Sequence, residues 1–493
     1  MKINSKIPGF LLIVALITLL AGCGSRQGQL KHGPREVHIF AVNDMHAAID
    51  NFPRLAFVTD SLRVLYPNML LLSGGDNQTG NPVNDQHIPH GRPMIDLMNM
   101  VGFTLSAVGN HEFDNGIEEM RHNIDAASFD FLLSNAIHKD RSYPILPYKI
   151  ITLPNGLKVA FVSLLYINST GFPDCHPDKT KGFTFLDPLV SARKYLPLKE
   201  EVDLFVFLNH YGFEEDVKLA KSLPQGKADL IVGGHSHTLI EKDEIHNGVL
   251  ITQAGSKLQY GTLITLRVYP NGRIERTQKL IRIGNTGSKQ QKMKAMVEEM
   301  KAKSGLDKMV AKLEVDYTSK EPLGYLMADA QRAISGADIA LINMGGVRLS
   351  ELAKGEITYI DIYTLDPFGN EMILYNLTGH EIKELLLNAY ELDGIYPLLP
   401  SGMKSRYHLA QEGGKTIIKD IELLNEDGTP LDMDRLYRVE LNGYIAAAYR
   451  FPHKAEGKSL YQTTANALIE WLKARGTAPT YEGEVRVERV MEE

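Results

Sequence analysis

Residues 109–116 read Gly-Asn-His-Glu-Phe-Asp-Asn-Gly and follow directly on the apolar run 105–108, Leu-Ser-Ala-Val. Positions 110 to 114 thus hold an amide oxygen, an imidazole and two carboxylates, a density of polar donors that few structural roles require. In open α/β sheets, ligands gather where strands end at their carboxyl side. Asp114, three residues after His111, can hold the imidazole in one tautomer and favour its cationic form, which makes His111 a candidate catalytic group.

Four more polar blocks also follow short apolar runs. Asn43-Asp44-Met45-His46 follows 37–42, and Gly74-Gly75-Asp76-Asn77-Gln78-Thr79-Gly80 follows 69–72. Asn209-His210-Tyr211-Gly212 follows 204–208, and Gly233-Gly234-His235-Ser236-His237 follows 230–232. Asp44 and His46, two apart in an extended exit, can offer one hard oxygen and one imidazole nitrogen to a divalent metal. The two oxygens of Asp76 suit it to bridging two metals, although an Asx turn would fit that segment alone. Chance predicts about 0.5 His-x-His pairs for 16 His in 493 residues, so His235 and His237 carry weight through their place at a strand end. Asp85 and His87 repeat the Asp-x-His spacing with no strand before them and read as a loop coincidence. Recurrence at five strand ends outweighs the bland reading of any single histidine.

Further apolar runs at 158–163 and 249–252 alternate with amphipathic stretches, and 262–268 and 274–283 flank Pro270-Asn271-Gly272, a hairpin signal. The runs are too apolar to be half-exposed, so an α/β arrangement with both sheet faces covered is expected. A chain of 493 residues exceeds what one core usually supports, and two domains are expected. The stretch 288–303, rich in Lys, Met, Glu and Ala, reads as a solvated connecting helix between them. The second half repeats the alternation, with helices expected near 323–334, 379–392 and 464–473, but lacks the His and Asp clusters. A formal charge of -7 argues against a nucleic-acid polymer as partner.

Lys2 and Lys6 precede an apolar run, 10–20, too short to span a bilayer comfortably, and Leu20-Ala21-Gly22-Cys23 resembles the processing site of bacterial lipoproteins. An exported lipoprotein of the periplasm or cell envelope is expected, anchored to the membrane by a lipid on Cys23. Cys175, in Pro173-Asp174-Cys175-His176-Pro177, is then the remaining thiol, so no intramolecular disulfide is available and this loop receives no role.

The five blocks in this order resemble those of the calcineurin-like metallophosphoesterases, and residues 109–116 resemble the signature of the bacterial 5'-nucleotidase branch. The resemblance implies a mixed α/β fold: a metallophosphoesterase β-sandwich flanked by helices, plus a C-terminal α/β substrate-binding domain. Its expected divisions are a signal peptide 1–22, a tether 23–35, a catalytic domain 36–285, a linker helix 286–312 and the substrate domain 313–493. It implies two divalent metal ions, zinc, manganese or cobalt. One would take Asp44, His46, Asp76 and His237, and the other Asp76, Asn110, His210 and His235. His111 with Asp114 would act on the transferring phosphoryl group or the leaving oxygen. Asn-Met-Gly-Gly-Val-Arg at 343–348 and Asp-Pro-Phe-Gly-Asn at 366–370 resemble nucleoside-binding blocks, implying substrate contacts from Asn343, Arg348 and Phe368. Where relatives carry a Gly-Gly-Asp-Gly-aromatic block with a second stacking ring, this chain reads Ala446-Ala447-Ala448-Tyr449-Arg450-Phe451, and Tyr449 or Phe451 is expected to replace that ring. The implied reaction is hydrolysis of nucleoside 5'-monophosphates. The alternatives on the same fold are cyclic nucleotides, nucleotide sugars or thiosulfohydrolase-type substrates, and, more remotely, a surface protein that binds without turnover.

Overall fold

Strand Arg35–Val42 alternates its side chains between two cores, with Val37, Ile39 and Ala41 on one face and Phe40 and Val42 on the other. The computed structural model describes residues 33–284, 288–394 and 397–492; the signal peptide and Cys23 lie outside them. Parallel to this strand run Leu70–Ser73, Leu105–Ala107 and Asp130–Leu132, in that order, with Ile39 opposite Leu70 and Leu72 opposite Leu105. On its other side the hairpin Tyr260–Val268 and Ile274–Arg282 completes a six-stranded sheet.

A second six-stranded sheet has the order Glu244–His246, Val249–Thr252, Leu230–Val232, Leu204–Leu208, Lys158–Val162, Tyr148–Thr152, with its four central strands parallel. Ile39, Leu72 and Leu105 from the first sheet meet Phe161, Val206 and Leu230 from the second in one buried layer, the core of a sandwich. Helices Phe52–Leu65, Arg92–Val101 and Gly116–Ala126 cover the outer face of the first sheet, and Pro188–Tyr195 and Phe213–Ser222 that of the second. Parallel strands in register end on one side, so the polar exits of both sheets meet along one edge. The approach is close: a methyl group at Gly234 would lie 2.5 Å from the Gly74 carbonyl of the other sheet.

Three strands of the sandwich, Asp130–Leu132, Tyr148–Thr152 and the three-residue edge Glu244–His246, were not expected from the sequence. The first has three residues and the second is a partly exposed edge that mixes Lys and Thr with two Ile, so none of the three shows a clean period. Helix Gln291–Ser304 corrects the expectation of a solvated connector. Met293 and Val297 are buried, and Met296 and Met300 pack beside them on the first core. Their helical spacing makes a methionine stripe that a composition rich in Lys and Glu conceals.

The second half builds a five-stranded sheet ordered Leu398–Ser401, Ile339–Asn343, Leu436–Asn442, Glu371–Thr378, Lys458–Thr463, and a three-stranded sheet of Lys415–Leu424, Lys404–Glu412 and Val487–Met491. Helices Lys320–Ser335, Gly379–Asp393 and Thr464–Arg475 cover these sheets. Strand Met309–Leu313, inside the stretch read as linker, pairs with Gly355–Thr358 of this half. Among the described residues no helix is long and apolar enough to cross a membrane.

Candidate active site

Backbone hydrogen bonds lash the strand exits together before any side chain is considered. Asp44 N donates to the Gly75 carbonyl, His46 N to that of Asp76 and Ala47 N to that of Asn77, all within 3.0 Å. The tight reversals force left-handed backbone on Asp44, His46, Asp76, His235 and His237, each with φ between 44° and 78°. Such conformations cost about 1 to 3 kcal/mol apiece in non-glycine residues and cluster where function demands the geometry. Gly109 supplies the closest approach, since a methyl there would fall 2.2 Å from Asp76 Oδ1.

Glu112 ties two of these loops from below. Its buried carboxylate accepts hydrogen bonds from the backbone N–H of Asp76 (3.1 Å), Asn77 (2.7 Å) and Gly109 (2.6 Å), and from Asn77 Nδ2 at 3.1 Å. Burial and the charge of Asp76 nonetheless push its carboxyl up to about 7. Of the two carboxylates in residues 109–116, His111 requires only Asp114, and the surplus acid is the one sign of this tie in the sequence. Asp85 likewise has a structural place, accepting from the N–H of Gly80 (2.8 Å) and Asn81 (2.9 Å), while His87 stays exposed.

The side chains converge in the order the strand ends dictate. His46 Nε2 lies 3.0 Å from His237 Nε2, which lies 3.3 Å from Asp44 Oδ1. Asp76 Oδ2 lies 3.2 Å from His210 Nε2, and Asn110 Oδ1 lies 3.2 Å from His210 Nε2 and 3.1 Å from His235 Nδ1. His46 Nδ1 faces the Thr79 carbonyl at 3.2 Å and His210 Nδ1 the Gly74 carbonyl at 2.8 Å. A carbonyl only accepts, so both Nδ1 atoms carry a proton, and both Nε2 atoms are turned toward the cluster. Asn43 adds a support that the sequence reading missed: its amide donates to Asp44 Oδ2 (2.6 Å) and accepts from Ala254 N (2.8 Å).

Electrostatically this is a site that wants positive charge. Asp44 and Asp76 are 0% and 2% exposed, yet both carboxyls stay below the usual range: burial opposes their charge, and the neighbouring imidazoles, His210 and His237 beside Asp44 and His210 and His111 beside Asp76, override it. Burial drives His46 down to about 3 and His235 to about 4, so both are neutral donors. His210 is raised to about 10, because the carboxylates of Asp76 and Asp44 outweigh its burial. Two buried carboxylates, the imidazoles of His46, His210, His235 and His237 and an amide oxygen form the mixed N/O donor set that divalent cations take.

His111 stands beside this cluster. Its Nδ1 is 2.7 Å from Asp114 Oδ2 and its backbone N donates to Asp76 Oδ1 at 2.9 Å. Burial alone would lower its pKa, but Asp114 and Asp76 raise it to about 9, which makes it an imidazolium near neutrality.

A cavity of about 1000 Å³ opens over these groups and is closed on its far side by the second half of the chain. Asn343, Arg348 and Phe368 line it, with the Phe368 ring 5.9 Å from that of His111 and the Arg348 guanidinium 5.5 Å from the Phe368 centroid. Asn343 is fixed by Asn442 Nδ2, which donates to its Oδ1 at 2.9 Å. Tyr449 and Phe451 do not line the cavity, contrary to the sequence expectation. They are 5% and 9% exposed and pack into the apolar core of the second half, because helix Gly443–Ala448 ends by turning the following residues inward. The rings on the wall are Tyr444 and Tyr375, beside Ala446 and Ala447.

Sequence comparison agrees with this architecture. Residues 37–239 match the calcineurin-like phosphoesterase family and residues 301–452 the 5'-nucleotidase C-terminal domain. A 5'-nucleotidase of Vibrio cholerae is 29% identical over 76% of this chain and 80% of its own length. The trifunctional nucleotide phosphoesterase protein YfkN of Bacillus subtilis is 26% identical over 92% of this chain, which spans 35% of YfkN. The crystal structure of a 5'-nucleotidase precursor from Thermus thermophilus superposes with a TM-score of 0.79, covering 93% of this chain and 100% of that one at 24% identity, and so shares the fold. The chain thus joins a calcineurin-like phosphoesterase domain to a 5'-nucleotidase C-terminal domain, and it is a metal-dependent phosphoester hydrolase.

Proposed function

We propose that the protein hydrolyses phosphate monoesters, nucleoside 5'-monophosphates foremost, to an alcohol and inorganic phosphate. The observation that carries this reading is the single cavity that joins the Asp44–His237 donor cluster to Phe368, Arg348 and Asn343. In this reading Asp44, His46, Asp76 and His237 hold one divalent cation, and Asp76, Asn110, His210 and His235 the other. The donor chemistry fits: His46 and His237 face each other nitrogen to nitrogen, and the buried carboxylates of Asp44 and Asp76 are kept ionised beside His210. When bound, such a pair of cations lowers the pKa of water and withdraws charge from phosphoryl oxygens during in-line displacement.

The chain's own groups do the rest. His111, kept cationic by Asp114, donates from Nε2 to a phosphoryl oxygen or to the leaving ester oxygen, offsetting charge that develops there. Arg348 offers a fixed guanidinium to sugar or phosphate oxygens, and Phe368 offers a ring to the base. No serine or cysteine nucleophile is required. The same reading makes the protein an exported lipoprotein held to the membrane through Cys23, and Cys23→Ser is then expected to release it from the membrane fraction.

One observation favours a second reading. Ala446 and Ala447 stand on the wall of a cavity at the upper end of the usual ligand-pocket range, which leaves room for a bulkier ester such as a nucleotide sugar. Protein stripped with a chelator and reloaded with manganese, cobalt or zinc should be assayed for phosphate release from 5'- and 3'-nucleotides, cyclic nucleotides, nucleotide sugars, thiosulfate esters and p-nitrophenyl phosphate. Metal-dependent release strongest on 5'-monophosphates is expected. Preference for another class moves the assignment there, and metal binding without any turnover overturns catalysis.

A further inference from the structure

The loop Pro173-Asp174-Cys175-His176-Pro177 borders the cavity, and its contacts run toward the subsite formed by Asn110, His210 and His235. We propose that Asp174 is a positioning residue for the cation held there, fixing the orientation of both Asn110 and His235. The inference rests on the reading of those two residues as ligands.

Each half of Asp174 has a different partner. Its backbone carbonyl accepts from Asn110 Nδ2 at 3.1 Å, and this decides which way the amide points. With the NH₂ group turned to that carbonyl, Asn110 Oδ1 is left to face His210 and His235. Its carboxylate meets the far edge of His235, with Oδ2 3.5 Å from Nε2, while Nδ1 of the same ring faces Asn110 Oδ1 at 3.1 Å. The imidazole thus stands between the cation subsite and a carboxylate, with one ring nitrogen for each. A carboxylate at the distal nitrogen keeps the proton there, leaves the proximal lone pair free and raises its basicity.

The carboxylate is itself held. Asp174 Oδ1 accepts from Asn168 Nδ2 at 2.9 Å, and Asn168 Oδ1 accepts from Thr170 N (2.9 Å) and Thr170 Oγ1 (2.6 Å), which fixes the amide. With Oδ1 committed to Asn168, Oδ2 is the atom presented to His235. Tyr166 packs on the His235 ring at 4.9 Å between centroids and 24° between planes, so the ring is confined by face and by edge. Asp174 is not a ligand in this arrangement, because the His235 ring separates its carboxylate from Asn110 Oδ1.

The test is calorimetric titration of the full, chelator-stripped protein with Mn²⁺, with bound metal counted by mass spectrometry and no substrate present. Wild-type protein should take up two ions, and His235→Ala identifies which step belongs to this subsite. Asp174→Ala should weaken that step by about 10- to 100-fold and leave the other within about twofold, the usual effect of removing an outer partner of a ligating histidine. Asn168→Ala should weaken the same step less, and Asp174→Asn, which keeps an acceptor, should fall between. Unchanged affinity in Asp174→Ala overturns the inference. So does loss of one ion even at saturating Mn²⁺, which makes Asp174 a ligand, and so does equal weakening of both steps with a lowered metal-free melting temperature, which makes it structural. Wild-type protein that takes up one ion overturns the two-cation reading itself and this inference with it.

Discussion

The ring of Phe368, from the second half of the chain, lies 5.9 Å from the imidazole of His111 and within 18° of parallel to it. The group read as acting on phosphate and the group read as meeting the base are therefore neighbours, and each can be tested against the other.

Phe368→Ala should weaken apparent affinity for a 5'-nucleotide about five- to a hundredfold, since base stacking is worth about 1 to 3 kcal/mol by alanine substitution. Hydrolysis of p-nitrophenyl phosphate, which carries no base, should change little. Phe368 is half-buried in a turn between Pro367 and Gly369 and lines the cavity. Equal losses on both substrates with a lowered melting temperature would make it a packing residue instead.

His111→Asn should retain two metal ions and lose about a hundredfold or more in turnover, the usual contribution of a general acid or an electrostatic donor. Metal content and kcat measured on one preparation decide this. Loss of an ion would turn His111 into a ligand.

Glu112→Ala removes the acceptor of three buried backbone N–H groups, and each unsatisfied donor costs about 1 to 3 kcal/mol. A total near 3 kcal/mol or more corresponds to a fall in melting temperature of about 6 to 12 °C for a domain of this size, read by circular dichroism on metal-free protein. Glu112→Gln keeps one acceptor oxygen and should lose less. A melting temperature unchanged in Glu112→Ala would show that the loops hold each other without it.

Asp366 offers a test in pH. Burial raises its carboxyl to about 6 against the hydrogen bond from Thr464 Oγ1 at 2.5 Å. The folded state keeps a proton that the unfolded chain has already lost, so this group's stabilisation is fully present below about pH 4 and is lost as pH rises through about 6. The loss is on the order of 2 to 3 kcal/mol. Asp366→Asn stays neutral throughout, so its melting temperature relative to wild type should climb between pH 4 and pH 7. A difference that stays flat over that range would mean that Asp366 ionises as readily folded as unfolded.

The sandwich was legible in the sequence because its central strands are largely buried and lead into polar blocks: 37–42, 204–208 and 230–232 announce themselves as apolar runs ended by Asn43, Asn209 and Gly233. The edge strand Tyr148–Thr152 and the methionine stripe of Gln291–Ser304 were not, because a half-exposed element dilutes its apolar period with the Lys and Glu that solvent tolerates.

By itself the sequence determined the alternation of strands and helices and the residues gathered at five strand ends, since both follow from short-range pattern and from parallel strands that end together. Only the tertiary structure decided that Tyr449 and Phe451 turn into a core while Tyr444 and Tyr375 face the cavity, that Glu112 accepts from two separate loops, and that Asp174 reaches both Asn110 and His235. Those outcomes depend on the direction of a side chain and on contacts between segments far apart in the chain, and neither is written in local spacing.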